Sequence, residues 1–142
     1  MVEQDGGMEL SADLARQRFA SVSVARLATV GPDGRPHLVP VTFAVQGDRI
    51  YTAVDHKPKR TMNLRRLRNI AANPHVAVLA DHYDDDWQRL WWVRAEGVAR
   101  VVERDAEGVR LLGLRYRQYR ANPPRGPVIV ISVNRWAGWS AS

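Results

Sequence analysis

At 142 residues, with 45% hydrophobic and 25% charged content, the chain has the make-up of one globular domain that buries roughly two-thirds of its unfolded surface. The absence of cysteine excludes a disulfide framework, thiolate catalysis and thiolate metal sites. A formal net charge of +6 points to an anionic partner of some kind, and no apolar run approaches the ~20 residues of a membrane span.

Residues 1–10 read as a disordered leader, without the basic-then-apolar order of a signal peptide, so a cytoplasmic location is expected. Residues 11–142 then form a single domain. Ser11 is a candidate N-cap for a helix to about Ala20, with Leu14 and Phe19 as its apolar contacts. Alternation at Val22, Val24, Ala28 and Val30, broken by Arg26, predicts a first strand. Gly31-Pro32-Asp33-Gly34 is a turn, since Pro fixes φ and Gly supplies a positive one. A second strand runs from His37 to Val45, with Val39, Val41, Phe43 and Val45 on one face. Pro40 cannot donate to a ladder and belongs at an edge or a bulge.

Gln46-Gly47-Asp48 closes a hairpin to a third strand, Arg49 to Val54. A helix is predicted from about Pro58 to Ala72, with Leu64, Leu67 and Ala71 on one face, stopped by Asn73-Pro74. Strands follow at His75–Ala80 and Leu90–Val102, the second placing Trp91, Val93, Ala95, Gly97, Ala99 and Val101 together. Asp105 to about Tyr119 reads as a helix, 122–127 as an irregular loop, and Val128–Val133 as a last buried strand. Meandering hairpins with few interposed helices predict a mainly β fold, a small antiparallel barrel with added helices.

The distribution of cations is the sharpest functional signal. Of 21 basic residues only Lys57 and Lys59 are lysine, both in Asp55-His56-Lys57-Pro58-Lys59-Arg60. A compact ammonium suits a phosphate held as a point charge. The run lies where a strand hands over to a predicted helix, a place that favours anions. Three cations, Lys57, Lys59 and Arg60, at the positive end of a predicted helix dipole are each unfavourable unless an anion offsets them. From His56 to Ala80 there is no acidic residue. His37, His56, His75 and His82 show no metal spacing, so no metal is expected. No nucleic-acid motif is present, and neither nucleic acid nor membrane is expected as a partner. Of Trp91 and Trp92, at most one can line a given pocket, and packing is the expected role.

Four segments, in this order and spacing, resemble the pyridoxamine-phosphate-oxidase-like split β-barrel family. They are Ala28 through Gly34-Arg35-Pro36-His37-Leu38-Val39-Pro40-Val41, then Ile50 through Arg60 with Asn63-Leu64, then Asn73-Pro74-His75-Val76-Ala77-Val78, then Val93 through Ala99. The resemblance covers about residues 12–140 and implies a six- to seven-stranded antiparallel split β-barrel. It implies a cofactor held by Tyr51 and Thr52 near the ring or ribityl region. Lys57, Lys59, His56 and Arg60 would stand near its phosphate, and the Val39-Pro40-Val41 backbone along the ring edge. It also implies a homodimer with cofactor sites at the subunit interface, the Trp136–Trp139 segment loosely matching one that reaches the partner's cofactor.

The family's FMN oxidases place an arginine early in the second strand and Ser-Arg-Lys after the third. Here no arginine follows Arg35 in the second strand, and the later run reads His56-Lys57-Pro58-Lys59. This favours the deazaflavin branch, whose coenzyme F420 carries a phosphate and an acidic tail, over FMN. The expected function is F420-dependent hydride transfer to or from an unsaturated organic substrate. The alternatives are an FMN-dependent oxidoreductase and a flavin- or deazaflavin-binding protein without turnover. No residue is marked as a catalytic acid or base.

Overall fold

The structure, a computed structural model, describes residues 7–54 and 64–142. In chain order the elements are β1 (Met8–Glu9), α1 (Ala12–Ser21), β2 (Ala25–Val30), β3 (Pro36–Val41), β4 (Ala44–Gln46) and β5 (Arg49–Ala53). They continue with α2 (Arg65–Ala72), β6 (His75–His82), β7 (Trp91–Val102), α3 (Ala106–Arg115), α4 (Arg117–Ala121) and β8 (Val128–Ser140). Every pairing is antiparallel, in the order β3-β2-β6-β7-β8-β5-β4, with β1 added beside the end of β8. The two ends of that path, β3 and β4, are joined by only Thr42 and Phe43, so the sheet curls back on itself. This is the mainly β, antiparallel split barrel that the sequence predicts.

Alternation along the strands fills the barrel. Leu27, Ile50, Val78, Val93, Ala95, Ile129 and Ile131 turn inward and are essentially inaccessible. Each large side chain so buried contributes roughly 1.5–3 kcal/mol. α1 plugs the barrel with Ala15 and Phe19, the Phe19 ring lying 4.9 Å from Phe43 and 5.4 Å from Trp136. Ser11 caps α1 as expected, accepting the Leu14 N–H at 3.2 Å. α2 contributes Ile70 to the core and Asn69, whose amide donates to the Thr29 hydroxyl at 3.0 Å.

The outer face is treated unequally. Over β4, β5 and the first half of β8 it is covered by α3, which buries Tyr51, Val128 and Val130 on one patch and Ala44, Ala53 and Leu112 on another. Both faces of β8 are therefore apolar there, which is why residues 128–133 read as one unbroken hydrophobic run. Over β2, β6 and β7 none of the described helices covers it, leaving Leu79 and Val98 exposed beside half-buried Ala28, Ala77, Trp92 and Arg94.

Several elements differ from expectation. The strand foreseen over 37–45 is two strands with different partners, β3 on β2 and β4 on β5. Its period-2 pattern continues across the break because Phe43 still points inward. In β2 the core face is Ala25, Leu27 and Thr29, not the valines on either side. Leu14 is exposed, and Ala15 takes its place against the core. Of the helix foreseen from about Pro58 to Ala72, residues 58–63 lie outside the described residues; Leu64 is extended and α2 begins at Arg65. The helix foreseen over Asp105 to about Tyr119 breaks at Tyr116 into α3 and α4. β8 runs on to Ser140, absorbing the aromatic tail. Part of the leader is ordered as well: Met8 and Glu9 pair with Ser140 and Trp139, and Leu10 is buried.

Pro40 sits on β3, an edge strand, as its missing N–H requires. A bulge at Asn134 separates the Glu96–Arg135 and Gly97–Val133 pairs. Beside it, a Cβ on Gly97 would stand 2.2 Å from the Ser132 carbonyl oxygen, so only glycine admits this approach of β7 to β8.

Candidate functional site

The ladder of β4 and β5 pairs Ala44 with Tyr51. Beyond it, Thr52 donates its hydroxyl to the Thr42 carbonyl at 2.7 Å. That bond draws the end of β3 against the end of β5, bringing Val39-Pro40-Val41 and Tyr51-Thr52 to one junction. Immediately past it, Val54 N–H donates to the Pro127 carbonyl at 3.0 Å and the chain enters 55–63. His56, Lys57, Lys59 and Arg60 lie outside the described residues.

The side chains of the predicted residues are disposed differently. Pro40 is exposed, Val39 half-buried and Val41 in the core. Tyr51 is 3% exposed beneath α3, so close that a Cβ on Gly108 would stand 2.9 Å from its ring. Thr52 is equally buried, with its hydroxyl engaged by Thr42. Both residues hold the end of β5 in place from within. β3 pairs with β2 alone, so its other edge, the one Pro40 faces, carries backbone carbonyls without a strand partner among the described residues, and an N–H only where the residue is not proline. Two residues before Val39, the Nδ1 of His37 is buried with no hydrogen-bond partner among the described residues.

Unpaired backbone groups on such an edge, chiefly carbonyls, can pair with the heteroatom edge of a planar flavin-like ring. A point-charge phosphate site is what the two lysines offer in sequence. The described part of the junction, an open strand edge beside the end of β5, fits the ring of a flavin-type group, and the residues assigned to its phosphate lie outside the described residues. Arg65, at the start of α2, lies 3.9 Å from Asp33, and Arg66 and Arg68 also have partners.

Sequence reasoning missed the lining of the junction. A cleft of about 440 Å³ opens there between Ser23, Val24, Thr42, Tyr116, Gln118 and Tyr119. The Tyr119 hydroxyl is 3.0 Å from the Thr42 hydroxyl. Tyr116 accepts the Phe43 N–H and lies 2.9 Å from the carbonyls of both Ser23 and Phe43. Burial pushes the Tyr116 phenol above the ordinary tyrosine value. The spacing of the two tyrosines on a helix was the available signal. Arg115 reinforces this corner by donating to the Ala20 and Val22 carbonyls at the end of α1.

A second groove, of about 420 Å³, crosses the uncovered face over Ala28, Val30, Ala77 and Gly97, rimmed by His75, Arg94, Glu96 and Asn134. Arg94 donates to Glu96 at 2.8 Å, holding that carboxyl below the usual range. Trp91 is in the core, whereas Trp92 lies on this outer face with the Arg94 guanidinium 5.4 Å over its ring.

Residues 12–140 match the family of pyridoxamine 5'-phosphate oxidase. A stretch of 56 residues is 39% identical to the 5a,11a-dehydrotetracycline/5a,11a-dehydrooxytetracycline reductase of Streptomyces rimosus, covering 39% of this chain and 38% of that protein. Among solved structures, an FAD-binding protein from Mesorhizobium loti superposes with a TM-score of 0.70 at 21% identity, over 96% of this chain and 99% of that one. A heme-binding protein from Mycobacterium smegmatis gives 0.73 at 23% identity, over 92% of this chain and 54% of that one.

Proposed function

Because the chain belongs to the pyridoxamine 5'-phosphate oxidase family, we propose that it is an oxidoreductase using a flavin-type cofactor, with coenzyme F420 as the form bound. The observation that carries this reading is the junction itself. The open edge of β3 meets the end of β5 one residue before the stretch that contains both lysines of the chain. Val39, Pro40 and Val41 would align the ring through their backbone, and Lys57 and Lys59, with His56 and Arg60, would anchor the phosphate. Tyr51 and Thr52 would act by fixing the strand between these two regions. The acid-free basic run through Arg68 suits an acidic cofactor tail better than the single phosphate of FMN.

When bound, the deazaflavin supplies a hydride, and the protein supplies its orientation and the exclusion of competing reactions. The substrate class is an unsaturated organic molecule, in keeping with the partial match to a reductase of dehydrotetracyclines. A proton from solvent completes the reduction.

The uncovered face over β2, β6 and β7 is the surface through which a homodimer would form, placing cofactor sites at the subunit boundary. Exposed Leu79 and Val98 among small side chains are suited to burial against a second copy.

A second reading, a cofactor-binding protein without turnover, draws on the FAD-binding and heme-binding proteins that share the fold. Parallel titrations with F420 and FMN, read by quenching of tryptophan emission, test the proposal. Tight, salt-sensitive binding of F420 and weak binding of FMN are expected, with affinity lost when Lys57→Ala and Lys59→Ala are combined. Preference for FMN would move the protein to the flavin branch. Binding of F420 without oxidation of its reduced form by a panel of enones and quinones would favour the second reading.

A further inference from the structure

A cavity of about 600 Å³ lies apart from both clefts, between the start of α3 and the 122–127 loop. Its walls are Glu103, Arg104, Asp105, Ala106, Val109 and Arg110 on one side and Pro124, Arg125 and Gly126 on the other. The volume is in the range of small-molecule sites. Ala106, Val109 and buried Pro124 give it an apolar part.

The charged groups around it are not equivalent. Asp105 is committed to capping α3, accepting the Gly108 N–H at 2.8 Å. It thereby occupies the helix terminus, which is not the receptor. Arg110 is neutralised by Glu107, to which it donates at 2.7 and 3.2 Å. Arg104 and Arg125, both exposed, have no hydrogen bond or ion pair among the described residues, and each lines the cavity from one of the two segments that form it. Glu103 is the one uncommitted carboxylate against these two guanidinium groups.

We propose that this cavity is a second binding site, for an organic anion with an apolar body, its carboxylate or phosphate held between Arg104 and Arg125. Guanidinium groups match planar or tetrahedral oxyanions through paired N–H donors, which an ammonium cannot do. The apolar body rests on Ala106, Val109 and Pro124. The loop that carries Arg125 also receives the Val54 N–H at Pro127, so occupancy here bears on the end of β5.

The test is calorimetric titration of the full chain with 3-phenylpropionate, phenyl phosphate and the neutral 3-phenylpropanol. Saturable binding of at least one anion is expected, at least tenfold tighter than that of the alcohol. The stronger of the two anions identifies the acid group preferred. Combined Arg104→Ala and Arg125→Ala should weaken anion binding at least tenfold. Glu103→Gln should strengthen it, and Ala106→Phe, which fills the cavity and leaves the charges in place, should abolish it. The Lys57→Ala, Lys59→Ala variant should bind these probes as the parent does, which separates this site from the cofactor anchor. Absence of saturation by both anions, parity with the alcohol, survival of affinity in the arginine or Ala106→Phe variants, or loss in the lysine variant would each overturn the proposal.

Discussion

The hydroxyl of Tyr116 accepts the Phe43 N–H at 2.9 Å and stands 2.9 Å from the Phe43 carbonyl, so one side chain from the break between α3 and α4 serves both backbone groups of a residue that belongs to no strand. β3 has left β2 at this point and β4 has not yet met β5. Thr52 and Tyr119 complete the seam through Thr42. Tyr116→Phe leaves the Phe43 amide in a partly buried position without its acceptor. A loss of about 2 kcal/mol in urea unfolding is expected, and parent-like stability would show that water replaces the phenol at no cost.

The same phenol gives an alkaline signature. Burial raises its pKa in the folded chain, against the opposing influence of the Phe43 N–H and Arg115. Since the folded value exceeds the unfolded one, this stabilisation is complete below the ordinary tyrosine pKa of about 10 and is lost as pH rises through the folded value. Thermal unfolding followed from pH 8.5 upward should fall more steeply above about pH 10 for the parent than for Tyr116→Phe. Parallel curves would assign the alkaline loss to other groups.

Thr52→Val keeps the shape of the side chain and removes its bond to the Thr42 carbonyl. Stability should drop by about 1 kcal/mol, while cofactor affinity changes by less than about threefold, because the hydroxyl is turned inward. A tenfold loss of cofactor affinity with unchanged stability would instead give Thr52 a direct contact.

Gly97→Ala places a methyl carbon 2.2 Å from the Ser132 carbonyl oxygen and 3.0 Å from the Val133 Cα. Both neighbours are backbone, so relief requires β7 and β8 to separate next to the bulge. A destabilisation on the order of 3 kcal/mol or loss of soluble protein is expected. Unfolding at the parent's denaturant midpoint would show the bulge to be freely adjustable.

Leu79→Glu tests the dimer. Leu79 lies on the uncovered face, in register with Arg26 on β2 and Arg94 on β7. A carboxylate there costs little in a monomer and much in an apolar interface. Sedimentation should show the parent as a dimer and the variant as a monomer with an unchanged far-UV spectrum. An identical sedimentation coefficient for both would place the interface elsewhere.

Local chemistry determined a good part of this molecule in advance. The Ser11 cap, the turn at Gly31 to Gly34, the edge position of Pro40, the stop at Asn73-Pro74 and the alternation of β7 follow from interactions within a few residues, and each is present. The paired lysines likewise stand out from composition alone. Other features arise between segments distant in sequence. The split at Thr42 and Phe43 leaves the strand pattern unchanged, since a strand can exchange partners without exchanging faces. It becomes favourable only because Tyr116, 73 residues on, satisfies the backbone groups that the exchange exposes. The inward face of β2, Ala25, Leu27 and Thr29, was decided by burial, Ala25 and Leu27 joining the core cluster that also holds Phe19 and Phe43, while Arg26, Ala28 and Val30 lie on its other face. Tyr51 looked available to a ligand until α3 covered it, and the cavity between Arg104 and Arg125 joins two segments that only the return of β8 brings together. Propensity and capping act along the chain, whereas burial and the pairing of polar groups are settled in space, by which segments meet.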